Sequence, residues 1–280
     1  MTDYNDWQQQ AIALELTGTM SRRGIADAIK VPRSTCLDFL RAWDSVLGVT
    51  EVEEEVEHNN SRILVLSDLH APYHHPNTIP FIKSLIEKYK PTRYISVGDE
   101  QDLHASSFHD SDVDLYSAGD ELKAAQKFMR ELENLIPEMD ILSSNHGDLF
   151  YRKAKHHGIP MHVIKSYNDV LGVGNGWRWH NDMVVDLPKG KKVYFCHGKS
   201  ANGLKLSQAM GMSCVQGHYH NTFNIQYWSS PLDLHFSMQV GCLIDDKSLA
   251  MSYNKLTVGR PVIGCGLIID GVPVLEAMPL

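Results

Sequence analysis

From residue 61 onward, short apolar runs alternate with longer stretches whose apolar residues return at helical spacing. Ile63–Leu66, Tyr94–Val97, Met139–Leu142, Val193–Cys196 and Cys214–Gln216 are runs of strand length. After the first, Thr78–Tyr89 carries Phe81, Ile82, Leu85, Ile86 and Tyr89 on one helical face. After the second, Asp120–Leu135 repeats the pattern with Leu122, Ala125, Phe128, Met129, Leu132 and Leu135. Each reads as a helix packing one face on a sheet. Beyond His220 the chain turns strand-like: Thr222–Trp228, Leu234–Leu243, Val262–Ile269 and Val272–Ala277, the last two joined by an Asp270-Gly271 hairpin turn. The alternation predicts an α/β fold with parallel strands, and the C-terminal strands predict a second, mixed or antiparallel sheet packed on the first.

The first fifty residues follow a different pattern. Trp7–Leu16 reads as one helix, with Ile12 and Leu16 on a common face, and Ser21 is placed to N-cap a second running through Ile29. Pro32 opens a third, in which Cys36, Phe39, Leu40 and Trp43 follow helical spacing. An acidic stretch, Val49–Asn60, separates this part from the rest and reads as a solvated linker. The predicted division is therefore residues 1–48, a small helical domain; 49–60, a linker; and 61–280, the α/β domain.

Composition adds little about the partner. The net charge is −8, yet five glutamates in the linker account for five of those charges. Five scattered cysteines, with no Cys-x-x-Cys pair, point to reduced thiols rather than a disulfide framework. No apolar run approaches the roughly 20 residues of a membrane span. With a polar, acidic start unlike a secretory signal, a cytoplasmic location and no membrane partner are expected.

Chemistry concentrates where the strands end. Asp68-Leu69-His70, Gly98-Asp99-Glu100-Gln101-Asp102, Asn145-His146, His197-Gly198 and Gly217-His218-Tyr219-His220 each follow one of the five strand-like runs. Open α/β sheets build their sites at that edge. Carboxylate, imidazole and carboxamide donors gathered there suit divalent cations and require no thiolate. Any one of the chain's 15 histidines is more often structural; their joint order sets His70, His146, His197, His218 and His220 apart.

This series resembles that of the calcineurin-like metallophosphoesterases, which reads D-x-H, G-D-x-x-D, G-N-H-D/E, a lone H, then G-H-x-H. The resemblance covers about Ser61 to His220 and implies a four-layer α/β/β/α sandwich. It also implies two cations, Mn²⁺ being expected and Fe, Zn²⁺ or Ni²⁺ compatible. The first would be held by Asp68, His70, Asp99 and His220, the second by Asp99, Asn145, His197 and His218. A water bridging them, made acidic by both, would attack phosphorus in line. His146 would serve as general acid and Asp102 would orient it.

Three departures narrow the reading. Leu103 and His104 stand where protein phosphatases carry a phosphate-clamping arginine. Ser144 replaces the glycine before Asn145. Gly147 replaces the acidic residue after the histidine, with Asp148 one place later. The stretch Arg23–Leu40 meanwhile resembles a helix-turn-helix unit of the resolvase or terminase kind, with Arg33, Ser34 and Thr35 near the exposed start of its second helix. There Lys30 occupies the turn position that usually holds glycine. This combination looks like phage or prophage phosphoesterases, for which the host cytoplasm would be the setting. Together these features imply a metal-dependent phosphodiesterase or nuclease acting on DNA. The alternatives are a phosphomonoesterase with the same chemistry, or a non-catalytic DNA-binding or assembly protein with a vestigial metal site.

Overall fold

The computed structural model describes residues 5–17, 20–40, 42–43, 61–107, 114–245, 247 and 259–279. The acidic linker lies outside them. The chain divides into two compact units, Met1–Val56 and Glu57–Leu280.

In the first unit, α1 (Asp6–Thr17) and α2 (Arg22–Ala28) are followed by α3 (33–40). The Ser21 hydroxyl accepts from the Gly24 amide and caps α2. Lys30 adopts φ 55°, the left-handed geometry that glycine would take without cost. Ala11, Ile25, Ala26, Cys36 and Leu40 form the buried core of this unit.

The second unit is built on two sheets. In the first, β1 (Arg62–Leu66), β2 (Arg93–Ser96), β3 (Met139–Leu142) and β4 (Trp177–His180) lie parallel in that order. On the other side of β1, β10 (Gly264–Ile269) pairs antiparallel with it and with β11 (Val272–Ala277) at the edge. The second sheet comprises β5 (Met183–Asp186), β6 (Lys192–Cys196), β7 (Ser213–Gln216), β8 (Phe223–Ser229) and β9 (Leu234–Val240), in the order β5-β6-β7-β9-β8. The strand-like C-terminal residues are thus shared between the sheets. Two strands complete each, because hydrophobic alternation marks a strand's buried face and not the sheet it joins.

Alternation along β1 shows the layering. Ile63 and Val65 face the second sheet, packing in a core with Ile95, Phe195, Val215 and Met238. Leu64 and Leu66 face outward, under α4 (Thr78–Tyr89) and α5 (Ala118–Leu135). Between β3 and β4 the chain forms α6 (Leu149–His156) and the short α7 (Tyr167–Leu171). On the far face of the second sheet, α8 (Gly203–Met210) covers Tyr194, Cys196 and Cys214 through Leu206. The result is the four-layer α/β/β/α sandwich that the motif resemblance implies. Asp270 and Gly271 both take positive φ, the geometry of a tight hairpin turn. The edge strands β4 and β5 are not predicted by the sequence pattern. One reason is that β3 holds β4 through a buried carboxylate: Asp140 receives Arg178 and His180 at 3.0 Å each and Arg93 at 2.8 Å.

Candidate metal centre

Five loops leave the C-terminal ends of β1, β2, β3, β6 and β7 and converge above the seam between the sheets. Asp68, His70, Asp99 and His218 all carry positive φ, between 48° and 71°. Non-glycine residues adopt this region at a cost, and such strain gathers where function dictates geometry. Close approach also fixes two glycines. A Cβ on Gly217 would lie 1.9 Å from the Ser67 hydroxyl and 2.5 Å from the Asp68 carboxylate, while one on Gly98 would strike Ser144 at 2.6 Å.

The side chains fall into adjoining groups. Asp68, His70 and His220 bring one ligating atom each within 4.8 Å of one another, and so do Asp99, His197 and His218, and His70, Asp99 and His146. His220 Nε2 lies 3.0 Å from Asp68 Oδ1, and His197 Nε2 lies 3.2 Å from Asp99 Oδ2. The Asn145 carboxamide oxygen is 2.7 Å from His197 Nε2. Every sequence-derived candidate at the strand ends therefore lies in one constellation.

The far side of each ring determines what the near side can do. His70 Nδ1 donates to the Asp102 carboxylate at 2.6 Å, and His197 Nδ1 donates to the Val97 carbonyl at 2.9 Å. With one proton held at Nδ1, Nε2 is the nitrogen that points into the cluster and the one whose lone pair a cation would take once its own proton is displaced, which is how imidazoles are prepared for metals. His70 Nε2 and His220 Nε2 approach to 3.2 Å, both aimed at one point beside Asp68. The donor set is oxygen and nitrogen, almost entirely buried on the Asp68 side, and fits divalent cations.

Electrostatics agree. Burial alone would raise the Asp68 carboxyl, but the adjacent His220 and His70 hold it well below the usual carboxylate range. Asp99 is lowered in the same way, chiefly by His197 and His146 against its own burial. Burial would depress His197, yet the Asp99 charge raises it to about 9. The carboxylates thus demand positive charge, which protonated histidines supply here and cations would supply instead.

Asp102 sits differently from the expectation. Its carboxylate bonds to His70, whereas its backbone carbonyl receives His146 Nδ1; the nearer carboxylate oxygen is 3.7 Å from that nitrogen. One residue therefore touches both rings through different atoms. Asp148 does not stand in for the missing acidic residue behind His146, since its carboxylate accepts from the Tyr167 hydroxyl. Ser144, the second departure, has a role: its hydroxyl accepts from the Asp99 amide at 2.9 Å and the Gly147 amide at 3.1 Å, tying two motif loops together.

Sequence reasoning misses Glu121. It lies on α5 with 1% exposure, and its carboxylate accepts from the His104 and Ala105 amides at 2.7 and 3.0 Å. This clamps the short turn His104–Ser106 that follows Asp102 and the left-handed Leu103. The available signal is an acid adjoining the apolar stripe of α5, where helical periodicity selects Leu122 instead. In the N-terminal unit, Arg33, Ser34 and Thr35 are exposed at the start of α3. The Arg33 guanidinium forms a two-bond pair with Asp27, at 2.9 and 2.7 Å.

No family model and no curated protein matches the chain. Among solved structures, it is similar to a novel archaeal phosphodiesterase at 15% identity and a TM-score of 0.41, over 78% of this chain and 99% of that one. It is also similar to vacuolar protein sorting 29 from Cryptosporidium parvum at 13% and 0.40, over 78% and 96%. The nuclease MPE of Pseudomonas putida is similar at 11% and 0.33, over 76% and 87%. All three are distant likenesses.

Proposed function

We propose that the chain is a dinuclear-metal-dependent phosphodiesterase of the calcineurin-like kind, acting on DNA. Asp68, His70, Asp99 and His220 would hold one cation, and Asp99, Asn145, His197 and His218 the other. The observation that carries this is the pair of ligand groups, Asp68/His70/His220 and Asp99/His197/His218, set side by side with the outer nitrogens of His70 and His197 already committed. When bound, the two cations supply Lewis acidity for water and neutralise charge on the phosphate.

The chain's own residues do the rest. His70 and His197 are locked in one tautomer by Asp102 and Val97. His146 Nδ1 donates its hydrogen bond to the Asp102 carbonyl, so Nε2 is the atom left to face the phosphoryl group and to pass a proton to the leaving oxygen. The neutral Asn145 beside His197 keeps negative charge down where an anionic diester must approach. Leucine and histidine in place of an arginine after Asp102 favour a diester over a phosphoprotein. The exposed start of α3, with Arg33, Ser34 and Thr35, favours DNA.

The test incubates the full chain and Mn²⁺ with single-stranded, linear and circular DNA, alongside bis-p-nitrophenyl phosphate and p-nitrophenyl phosphate. Diester cleavage that disappears in Asp99→Asn and His146→Ala is expected. Cleavage of the monoester alone would refute the proposal.

A further inference from the structure

One surface of the second unit runs against the acidity of the whole chain. Residues 149–165 contain Arg152, Lys153, Lys155 and Lys165 and no Asp or Glu. They comprise α6 and a turn around Met161–Val163. Arg152, Lys155 and Lys165 are exposed, and among the described residues Lys155 and Lys165 form no ion pair. The one carboxylate at the head of the helix, Asp148, is engaged with Tyr167. The turn exposes Ile159 by 45%, Met161 by 54% and Val163 by 61%. It folds back along α6 rather than extending beyond it, because the Tyr151 hydroxyl on the first turn of α6 donates to the Lys165 carbonyl at 2.9 Å.

This patch begins at the candidate centre itself. The Leu149 amide donates to the His146 carbonyl at 3.0 Å, so α6 grows directly out of the loop that holds His146 and leads away from it. Six residues on, Lys155 stands about 9 Å further along the axis. Arg152 and Lys155 follow one another along that axis, and Lys165 is brought back beside its first turn. Cations spread out in this way suit successive phosphates of a strand better than a single anion, which needs donors converging on one point. Exposed apolar side chains beside a cationic line suit a strand whose bases are unpaired and available for contact; a duplex hides them.

We infer that α6 and the turn after it carry a single DNA strand away from the metal centre, phosphates on Arg152, Lys155 and Lys165, bases over Ile159, Met161 and Val163. The inference rests on the proposed action on DNA and names the form and path of the substrate. It also separates two tasks: duplex would be the concern of α3, and the strand entering the centre that of α6.

The test measures binding of fluorescein-labelled dT12 to the full chain by anisotropy, in EDTA and across a salt series, for the natural sequence and for Lys155→Glu/Lys165→Glu. Loss of two phosphate contacts is expected to weaken binding about tenfold or more and to lower the slope of log Kd against log salt by about 1.4. The Met161→Ser variant is expected to weaken dT12 binding while leaving the salt slope in place. Unchanged affinity and slope in the double variant would overturn the inference. So would a patch that instead binds phosphatidylserine vesicles, with dT12 indifferent to it. Hydrolysis of DNA and of bis-p-nitrophenyl phosphate with Mn²⁺ is followed in parallel. If dT12 binding depends on the patch and neither diester is cut, the strand path stands and the hydrolase proposal falls. If DNA is cut and the double variant binds and cuts it as well as the natural chain, the hydrolase proposal stands and the strand path falls.

Discussion

Replacing Asp102 by alanine separates the two contacts that this residue makes. The backbone carbonyl, and with it the His146 hydrogen bond, remains; the carboxylate on His70 Nδ1 goes. Losing the partner behind a metal-ligating histidine typically costs about 10- to 100-fold in metal affinity, which corresponds to about 1.4–2.7 kcal/mol. The His70 ring has 2% exposure, so no water replaces the lost acceptor, and the upper half of that range is expected. Asn at 102 still offers an oxygen at the same place and should recover most of the loss. Isothermal titration with Mn²⁺ measures the affinity, and kcat is taken at saturating metal. The structure predicts a raised Kd for Mn²⁺ with kcat recovered once metal saturates. Unchanged affinity together with kcat lost at every metal concentration would show that the carboxylate acts on His146 after all.

Two further outcomes concern buried groups outside the ligand set. Burial pushes the His74 imidazole, stacked on Phe128, down from 6.5 to about 4. A depressed folded value means that the associated stability is complete above the unfolded value of 6.5 and is lost as pH falls toward 4, by about 3 kcal/mol. Urea unfolding of metal-free natural chain and His74→Phe, compared from about pH 7.5 to about pH 4, should show a difference that changes by that amount; a constant difference refutes the assignment. Glu121→Ala removes two hydrogen bonds to a carboxylate, at about 1.5–3 kcal/mol each. It should lower the thermal midpoint markedly and weaken Mn²⁺ binding by freeing the turn after Asp102, whereas a lower midpoint with Mn²⁺ affinity intact would confine Glu121 to stability.

The candidate ligands stand out in the sequence because every one lies just past one of five strand ends, so a local pattern of apolar run, turn and polar side chain marks it. The helices at Thr78–Tyr89 and Ala118–Leu135 are legible for a similar reason, since their apolar periodicity is long. What stays hidden depends on atoms brought together from far along the chain. That the Asp102 carboxylate meets His70 while its carbonyl meets His146 is a matter of how this loop is folded, and the turn that follows the left-handed Leu103 is held from α5, by Glu121. β4 escapes notice because the residues Trp177-Arg178-Trp179-His180 owe their place as much to Asp140 as to burial. The allocation of β8 and β9 to one sheet and β10 and β11 to the other leaves no local trace.

That allocation has a consequence of its own. Asp68, His70 and Asp99 come from the first sheet, and His197, His218 and His220 from the second, with the His218 amide and the His220 ring both bonded to the Asp68 carboxylate across the seam. The groups Asp68/His70/His220 and Asp99/His197/His218 each draw on both sheets. The centre therefore serves as a proof of assembly: a chain with one sheet formed, or with the two misaligned, brings neither of these two groups together. Cations captured at the seam would in turn rivet the layers together, so that the same event that arms the protein also fixes its architecture.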